Sequence, residues 1–146
     1  MRREYPDAPI IGVGGVIFKE ESVLLAKRAR EPGKGQWSIP GGAVELGETL
    51  TDALIREIRE EVSIRFEIRG LVRVLDRIFF DRNKRVRYHY VIADYWGLWL
   101  EGDPVPATDV SEARFFTTRH VSRMKIHRDL RETLLMAEEM RKKATI

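Results

Sequence analysis

The sequence predicts an α/β domain in which helices pack against a mixed β-sheet. Strand-like runs occupy most of the chain, one amphipathic helix interrupts them, and a charged helix closes the chain. Strands and helices in this order pack as layers around a hydrophobic core. A length of 146 residues fits one domain and allows a core without disulfide bonds. We therefore predict a single domain over residues 1–146.

The composition narrows the class of protein. The chain is 43% hydrophobic and 34% charged, as soluble globular proteins are. It has no cysteine, which excludes disulfides and thiolate sites and suits a reducing compartment. The net charge of +3 is small for a nucleic-acid-binding protein, and the apolar run at 10–18 is too short to cross a bilayer. We expect a cytoplasmic protein that binds small molecules and neither membranes nor nucleic acids.

The predicted strands are short runs rich in β-branched and aromatic residues. They cover residues 10–18, 22–28, 64–75, 77–80, 86–95, 97–100 and 113–117. Proline and glycine predict loops at 31–37 and 101–109, and residues 81–85 fit a hairpin loop.

Two helices are predicted from apolar residues that recur every three or four positions. The first runs from Leu50 to Val62, with Thr49 as its N-cap. Its apolar row consists of Leu50, Leu54, Ile58 and Val62, joined by Ala53. The second helix covers residues 124–143.

Three glutamates crowd one turn of the first helix. At about 100° per residue, Glu61 lies inside the apolar stripe, Glu57 lies at its edge and Glu60 lies on its flank. Burying an unpaired carboxylate is unfavourable, and like charges four residues apart repel. A hard divalent cation, Mg²⁺ or Mn²⁺, would relieve both costs. The alternatives are a solvated helix face or a buried arginine partner, although the neighbouring arginines are expected to point elsewhere.

A glycine-containing loop precedes this helix. Gly41 and Gly42 follow Pro40, and Glu45 and Glu48 flank Gly47. The glycines allow either a tight turn or close approach of a ligand to the backbone. Free amides at the start of a helix also suit phosphate oxygens.

Together these residues resemble the Nudix hydrolase signature, GX5EX7REUXEEXGU with U aliphatic. Gly42 and Glu48 match its first glycine and isolated glutamate, residues 56–61 read REIREE, and Ile64 closes the signature box at 42–64. The run WSIPGG before the box also resembles the family. Ser63 replaces the late glycine, which predicts a change of backbone geometry after the helix.

The resemblance implies a Nudix-type α/β/α sandwich that hydrolyses a nucleoside diphosphate linked to a further group X. In the family, glutamates matching Glu57, Glu60 and Glu61 bind Mg²⁺ or Mn²⁺, often with the carbonyl matching Gly41. Arg56 and Glu48 would brace the loop against the helix and complete the predicted catalytic set. By analogy with similar proteins, the partner protein would be a second copy of the chain in a homodimer.

The residues that select the substrate lie outside the box and are predicted less directly. Candidates for binding a base, sugar or phosphate are Arg28, Lys34, Trp37, Phe79, Tyr88, His89 and Tyr90. Alternating aromatic residues also pack as cross-strand pairs in a sheet, and His89 fits a structural role. Asp109 and Glu112, in and after the late loop, could supply another metal ligand or a base.

The resemblance favours ADP-ribose or a related nucleotide sugar as substrate. The proline that marks some ADP-ribose enzymes after the box is absent, since Phe79 and Phe80 occupy that region. Nucleoside triphosphates are the alternative substrates, and capped RNA is a third class. A catalytically silent nucleotide sensor is the alternative of another kind, but such a domain is expected to lose box carboxylates that this chain keeps.

Overall fold

The computed structural model describes residues 2–145, so Met1 and Ile146 of the predicted domain lie outside the described residues. Residues 2–145 form a seven-stranded sheet and three helices. The strands are β1 (Ile10–Lys19), β2 (Ser22–Arg28), β3 (Trp37–Ser38), β4 (Gly41–Ala43), β5 (Arg65–Phe80), β6 (Val86–Glu101) and β7 (Val110–Thr117). The helices are α1 (Leu50–Val62), α2 (Thr118–Val121) and α3 (Arg128–Ala144).

The sheet is mixed, as the sequence predicts. Its order is β3-β2-β1-β6-β5, and β1 and β6 are parallel while the other pairs are antiparallel. One edge of β1 is shared between two strands: Gly12, Val13 and Gly14 pair with β4, whereas Phe18 and Lys19 pair with β2. Strand β7 extends the sheet beyond β2. The sheet therefore divides beside the middle of β1, next to the loop that precedes α1.

Each face of the sheet has its own hydrophobic core. On one face Leu54, Ile58 and Val62 of α1 pack with Val13 and Ile17 of β1. On the other face Leu130 and Leu134 of α3 pack with Val16 and Phe18 of the same strand. The chain is therefore an α/β/α sandwich. None of the helices in residues 2–145 is long and apolar enough to span a membrane.

Helix α1 has the predicted bounds, and Thr49 caps it by accepting a hydrogen bond from the Asp52 amide at 3.1 Å. The prediction that Leu50 joins the buried row is wrong, since this residue is exposed at the first position of the helix. Helix α3 begins at Arg128 rather than at 124, because His127 is its N-cap and accepts from the Asp129 amide at 3.0 Å.

The two long strands each join runs that the sequence separates. Strand β6 continues through Gly97, where a Cβ would overlap the carbonyl of Glu67 on β5, so the glycine permits close strand approach instead of ending the strand. Strand β5 crosses Asp76 without interruption and absorbs its irregularities as register shifts against β6. The short elements β3, β4 and α2 were not predicted.

Candidate active site

A cavity of about 470 Å³ opens beside the division of the sheet. It extends from Glu57 and Glu61 of α1, past Gly41 and Gly42 of β4, to the start of α3 on the other face. The sequence-predicted site residues that line it are Gly41, Glu57, Glu61, Arg28, Trp37, Phe79, Tyr90 and Asp109. Those that do not line it are Glu48, Arg56, Glu60, Lys34, Tyr88, His89 and Glu112.

The three glutamates of α1 differ in environment as the helical projection indicates. The Glu57 side chain is only 13% exposed, Glu60 is 54% exposed, and Glu61 is half-buried. Burial raises the pKa of Glu57, against the opposing effect of Arg56. Burial also raises the pKa of Glu61, and the charges of Asp109 and Glu57 raise it further. Two partly desolvated carboxylates therefore share this end of the cavity.

The glycines before α1 allow the helix to approach the sheet. Gly42 pairs with Val13 of β1, and a Cβ on Gly42 would overlap the Glu57 carboxylate. A Cβ on Gly41 would overlap the carbonyl of Val13. The sequence requires glycine at both positions because any side chain would displace either the strand pairing or the carboxylate.

Arg56 braces the loop against α1. Its Nε and Nη2 donate to the two oxygens of Glu48 at 2.7 and 2.8 Å, and Nη2 also donates to the Ala43 carbonyl at 3.0 Å. The hydrogen bonds from Arg56 and from the Glu45 amide lower the pKa of Glu48 to about 2. The loop and the helix are thus joined through one guanidinium.

The same guanidinium also contacts the other carboxylates of α1. Nη1 of Arg56 donates to Glu57 at 2.7 Å and to Glu60 at 3.2 Å. The expectation that the neighbouring arginines point elsewhere is wrong for Arg56, because its guanidinium contacts the carboxylates one and four positions further along the helix. Glu61 has no such partner: no side-chain hydrogen bond joins it to another described residue.

The two late acidic residues have different surroundings. Asp109 lines the cavity close enough to Glu61 to raise its pKa, and it forms an ion pair with Arg30 at 2.6 Å. Glu112 is exposed, lies outside the cavity and pairs with Lys27 at 3.4 Å. Of the two, only Asp109 is placed where it can act with Glu61.

The aromatic candidates divide between the cavity and the sheet. Phe79 and Tyr90 line the cavity, while Tyr88 is buried between them, edge-on to Phe79 at 6.1 Å and stacked on Tyr90 at 6.5 Å. Tyr88 is thus a cross-strand packing residue that supports the other two rings. Trp37 also lines the cavity and packs edge-on against Phe116 at 5.0 Å.

Arg28 supplies positive charge inside the cavity. Its Nε donates to the Pro32 carbonyl at 2.6 Å, which orients the guanidinium, and burial lowers its pKa. No ion pair joins it to a carboxylate within residues 2–145. An arginine fixed in this way is suited to an anionic ligand such as a phosphate group.

A family model described as the NUDIX domain matches residues 8–136 of the chain. The chain belongs to the Nudix hydrolase family. The resemblance to this family that the sequence predicts is thereby confirmed.

Three similar proteins illustrate the relationship. An ADP-ribose pyrophosphatase of Methanocaldococcus jannaschii is 34% identical over 116 residues, covering 80% of this chain and 66% of the relative. The nucleoside triphosphatase NudI of an Enterobacter species is 47% identical over 55 residues, covering 36% and 39% of the two chains. A MutT NUDIX hydrolase of Burkholderia pseudomallei has a TM-score of 0.74 with 28% identity, covering 89% of this chain and 98% of the other. This Nudix chain spans less than two thirds of the length of the curated relatives it matches.

Nudix hydrolases generally use a divalent metal, and the donor chemistry of this Nudix chain fits one. Within residues 2–145, no three histidine, aspartate or glutamate side chains are grouped to hold a metal ion. The half-buried carboxylate of Glu61 nevertheless faces the negative charges of Glu57 and Asp109, forms no ion pair with a described side chain, and is only partly offset by the charge of Arg3, which also lines the cavity. Carboxylate oxygens without sulfur or imidazole donors favour Mg²⁺ or Mn²⁺.

Sequence reasoning missed several residues of the far end of the cavity. Asp94 of β6, Arg77 of β5 and Asp129 and Thr133 of α3 all line it. Asp94 had a signal in the sequence, because a carboxylate is unusual within a strand of β-branched and aromatic residues. Thr133 had a weaker one, as a hydroxyl on the apolar stripe of the terminal helix.

Proposed function

We propose that this Nudix chain hydrolyses the pyrophosphate bond of a nucleoside diphosphate linked to a further group, with Mg²⁺ or Mn²⁺ as cofactor and ADP-ribose or a related nucleotide sugar as substrate. One observation carries the proposal. Glu57 and Glu61 are partly desolvated at one end of a cavity whose walls also contain Arg28 and three aromatic rings. Such a cavity suits a ligand that combines a pyrophosphate with a base or sugar.

The metal would be held by Glu57, Glu60 and Glu61 with the carbonyl of Gly41. A bound divalent ion neutralises the pyrophosphate and lowers the pKa of water. Without metal, burial raises the pKa of both Glu57 and Glu61. A cation bound between them would be the partner that favours their charged forms. Asp109, beside Glu61, is a further candidate ligand.

The chain's own residues would then position the reactants. Arg28 would bind the phosphate oxygens, and Trp37, Phe79 and Tyr90 would contact the base or sugar. Glu57 and Glu61 would orient the attacking water, and one of the two would accept its proton. The water oxygen forms a bond to one phosphorus, the bridging P–O bond breaks, and the leaving phosphate takes the electron pair.

The choice of ADP-ribose rests on the relative from M. jannaschii, which is named an ADP-ribose pyrophosphatase and matches most of this chain. Nucleoside triphosphates are the second candidate. The observation in their favour is the higher identity, over a shorter segment, to a relative named a nucleoside triphosphatase.

A substrate panel with purified protein and Mg²⁺ or Mn²⁺ tests the proposal. The panel contains ADP-ribose, nucleotide sugars, ordinary and oxidised nucleoside triphosphates, dinucleoside polyphosphates and capped RNA. Hydrolysis of ADP-ribose yields AMP and ribose 5-phosphate, whereas a triphosphate yields a nucleoside monophosphate and pyrophosphate, and chromatography separates these products.

The matched variants are Glu61→Gln and Glu112→Gln. We expect Glu61→Gln to reduce turnover by about 100-fold or more and Glu112→Gln to leave it unchanged, because Glu112 lies outside the cavity. Turnover of none of the compounds, with either metal, would contradict the proposal and favour a nucleotide-sensing domain.

A further inference from the structure

The far end of the cavity contains a buried carboxylate that the proposed chemistry does not use. Asp94 of β6 is 5% exposed and lines the cavity between β1 and α3. A buried carboxylate is costly unless it is hydrogen-bonded or paired, so its position indicates a specific role.

One oxygen of this carboxylate is occupied. Thr133 of α3 donates its hydroxyl to Asp94 Oδ2 at 3.3 Å, while the same hydroxyl accepts from Nε of Arg73 at 3.0 Å. Because Arg73 can only donate, the hydroxyl hydrogen of Thr133 must point toward Asp94. The network therefore orients the carboxylate and leaves Thr133 no second hydrogen to offer.

The other oxygen faces the cavity. Asp94 Oδ1 accepts no hydrogen bond from residues 2–145, yet no fully buried side-chain polar atom among them lacks a partner. Oδ1 must therefore be accessible, and the cavity is the space that Asp94 lines. Oδ1 of Asp94 lies over Gly14: a Cβ on this glycine would come within 2.6 Å of Oδ1 and 2.9 Å of Ile39 Cδ1. The missing side chain at Gly14 makes room for this acceptor.

The neighbourhood of Oδ1 suits a flat, apolar ring. Ile39, Leu75, Ile92 and Leu130 line this part of the cavity, and Phe79 and Tyr90 lie on the same strands as Leu75 and Ile92. Gly14 pairs with Asp94 on one side and with Gly41 on the other. The Cα atoms of Gly41 and Asp94 are thus two strand spacings apart, about 10 Å. A nucleotide with its phosphates at Gly41 can place its base near Asp94.

We propose that Asp94 is a specificity-determining residue that accepts a hydrogen bond from an N–H group on the edge of the substrate's nucleobase. This proposal rests on the proposed function, since it assigns the base to one end of the same cavity. A carboxylate with one oxygen already satisfied accepts and does not donate, so it binds an amide or amino N–H and rejects a carbonyl or ring acceptor. Burial lowers the effective dielectric around the bond and increases this discrimination.

Charge around Asp94 is consistent with an acceptor. Burial raises the pKa of Asp94 to about 6. The hydrogen bond from Thr133 and the charges of Arg73 and Arg77 of β5 oppose this effect and favour the ionised form. At neutral pH the group is therefore mainly ionised. A ligand N–H bonded to Oδ1 would favour the charged form further.

Binding of nucleoside 5′-monophosphates, measured by calorimetry without metal, tests the proposal independently of hydrolysis. The probes are GMP, AMP, UMP, CMP and ribose 5-phosphate, and the variants are Asp94→Asn and Thr133→Val. Asparagine keeps an oxygen for Thr133 but turns an N–H toward the ligand, whereas valine disturbs the α3 contact and keeps the carboxylate.

We expect Asp94→Asn to weaken the tightest-binding monophosphate at least tenfold and to change the order of preference among bases. Thr133→Val removes the bond that orients the carboxylate but keeps an acceptor at Oδ1, so the affinity should fall while the order of preference among bases stays the same. Ribose 5-phosphate should bind the wild type and Asp94→Asn equally. Removing the N–H donor of the preferred nucleotide, by N1-methylation of GMP or by dimethylation of N6 in AMP, should weaken wild-type binding by a similar factor, which tests the bond without altering the protein.

Several results would overturn the proposal. They are no binding of any monophosphate by the wild type, an unchanged order of preference among bases in Asp94→Asn, or unchanged binding of the methylated nucleotide. A loss for ribose 5-phosphate in Asp94→Asn would show that the donor is a sugar hydroxyl. Hydrolysis in the substrate panel with no effect of Asp94→Asn on base preference would leave the proposed function intact and remove this inference alone.

Discussion

Glu48 and Arg56 are joined by two parallel hydrogen bonds, at 2.7 and 2.8 Å, between a loop residue and a helix residue eight positions apart. Bidentate pairing fixes the direction of the guanidinium as well as its distance. The third contact, to the Ala43 carbonyl, ties the same group to β4. Arg56 thereby sets how the loop, the strand and the carboxylates of α1 lie relative to one another.

Replacing Arg56 with lysine should lower kcat strongly and Tm only slightly. An ammonium group cannot reproduce the two parallel bonds, so Glu48 and Glu57 would lose their common partner. We expect kcat on the best substrate of the panel to fall by about 10- to 100-fold and Tm to fall by a few degrees. The matched control is Arg59→Lys, an exposed arginine of the same helix, which should change neither quantity. Equal kcat values for the two variants would contradict the bracing role.

The acid sensitivity of this pair has a definite sign. The pKa of Glu48 in the fold is lowered to about 2, so its pairing with Arg56 contributes stability above the unfolded pKa of 4.5. That contribution is lost as the pH falls from 4.5 through about 2. Measurements that concern the other carboxylates are therefore best made above pH 5.

Glu61→Gln should stabilise the protein in the absence of divalent cations. Glu61 is partly buried beside Asp109 and Glu57, and neutralising it removes both the desolvation cost and the repulsion. We expect Tm with a chelator present to rise by about 1–4 °C at pH 7.5 and the stabilisation by Mg²⁺ to disappear. Thermal unfolding with a chelator and with about 10 mM Mg²⁺ measures the Tm and its increase on metal binding, with Glu112→Gln as the exposed control. A lower Tm for Glu61→Gln under chelation would mean that the charge is already compensated within the fold.

Asp94 should make the stability of the metal-free protein depend on pH. Its pKa is raised from 3.8 to about 6 by burial, so the fold binds a proton that the unfolded chain releases. The resulting stability is fully present below about pH 3.8 and is lost as the pH rises through about 6. A pKa shift of this size corresponds to a loss of about 3 kcal/mol in the free energy of unfolding across that pH range.

Denaturant unfolding at pH 5, 6, 7 and 8 compares the wild type with Asp94→Asn. We expect the free energy of unfolding of the wild type to fall between pH 5 and 7 more steeply than that of the variant. Glu57 and Glu61, whose pKa values are also raised, contribute a slope of the same sign in both proteins. Parallel profiles for the two proteins would show that Asp94 titrates near its ordinary value.

The part of the site on α1 could be predicted from the sequence because one helix and its preceding loop hold it. Spacing alone places Glu57 and Glu61 on the buried side, and the structure agrees with that projection. The far end of the cavity could not be predicted in the same way. Asp94 and Thr133 are 39 residues apart in the sequence. They meet only because α3 packs against the sheet over β6.

The directions of long and aromatic side chains also could not be predicted from the sequence. Helical projection places Arg56 away from the apolar stripe but does not show that its long side chain returns to Glu57. Tyr88 and Tyr90 belong to one alternating run, yet only Tyr90 reaches the cavity, because Tyr88 is covered by Phe79 from the neighbouring strand. Such differences depend on register between β5 and β6, which the sequence pattern leaves open.

Ser63→Gly should stabilise the protein without changing its activity. Ser63 ends α1 with φ 60° and ψ 34°, the left-handed conformation that favours glycine, and its amide donates to the Arg59 carbonyl at 3.1 Å. The predicted change of backbone geometry is therefore wrong: the serine adopts the geometry that the signature glycine would supply. A non-glycine residue in this conformation costs about 1 kcal/mol, part of which glycine returns as greater freedom of the unfolded chain. We expect Tm to rise by about 1–3 °C with kcat unchanged. Ser63→Ala, which keeps a Cβ and loses only the hydroxyl, is the control and should not raise Tm; equal gains in both variants would assign the effect to the hydroxyl and not to the backbone.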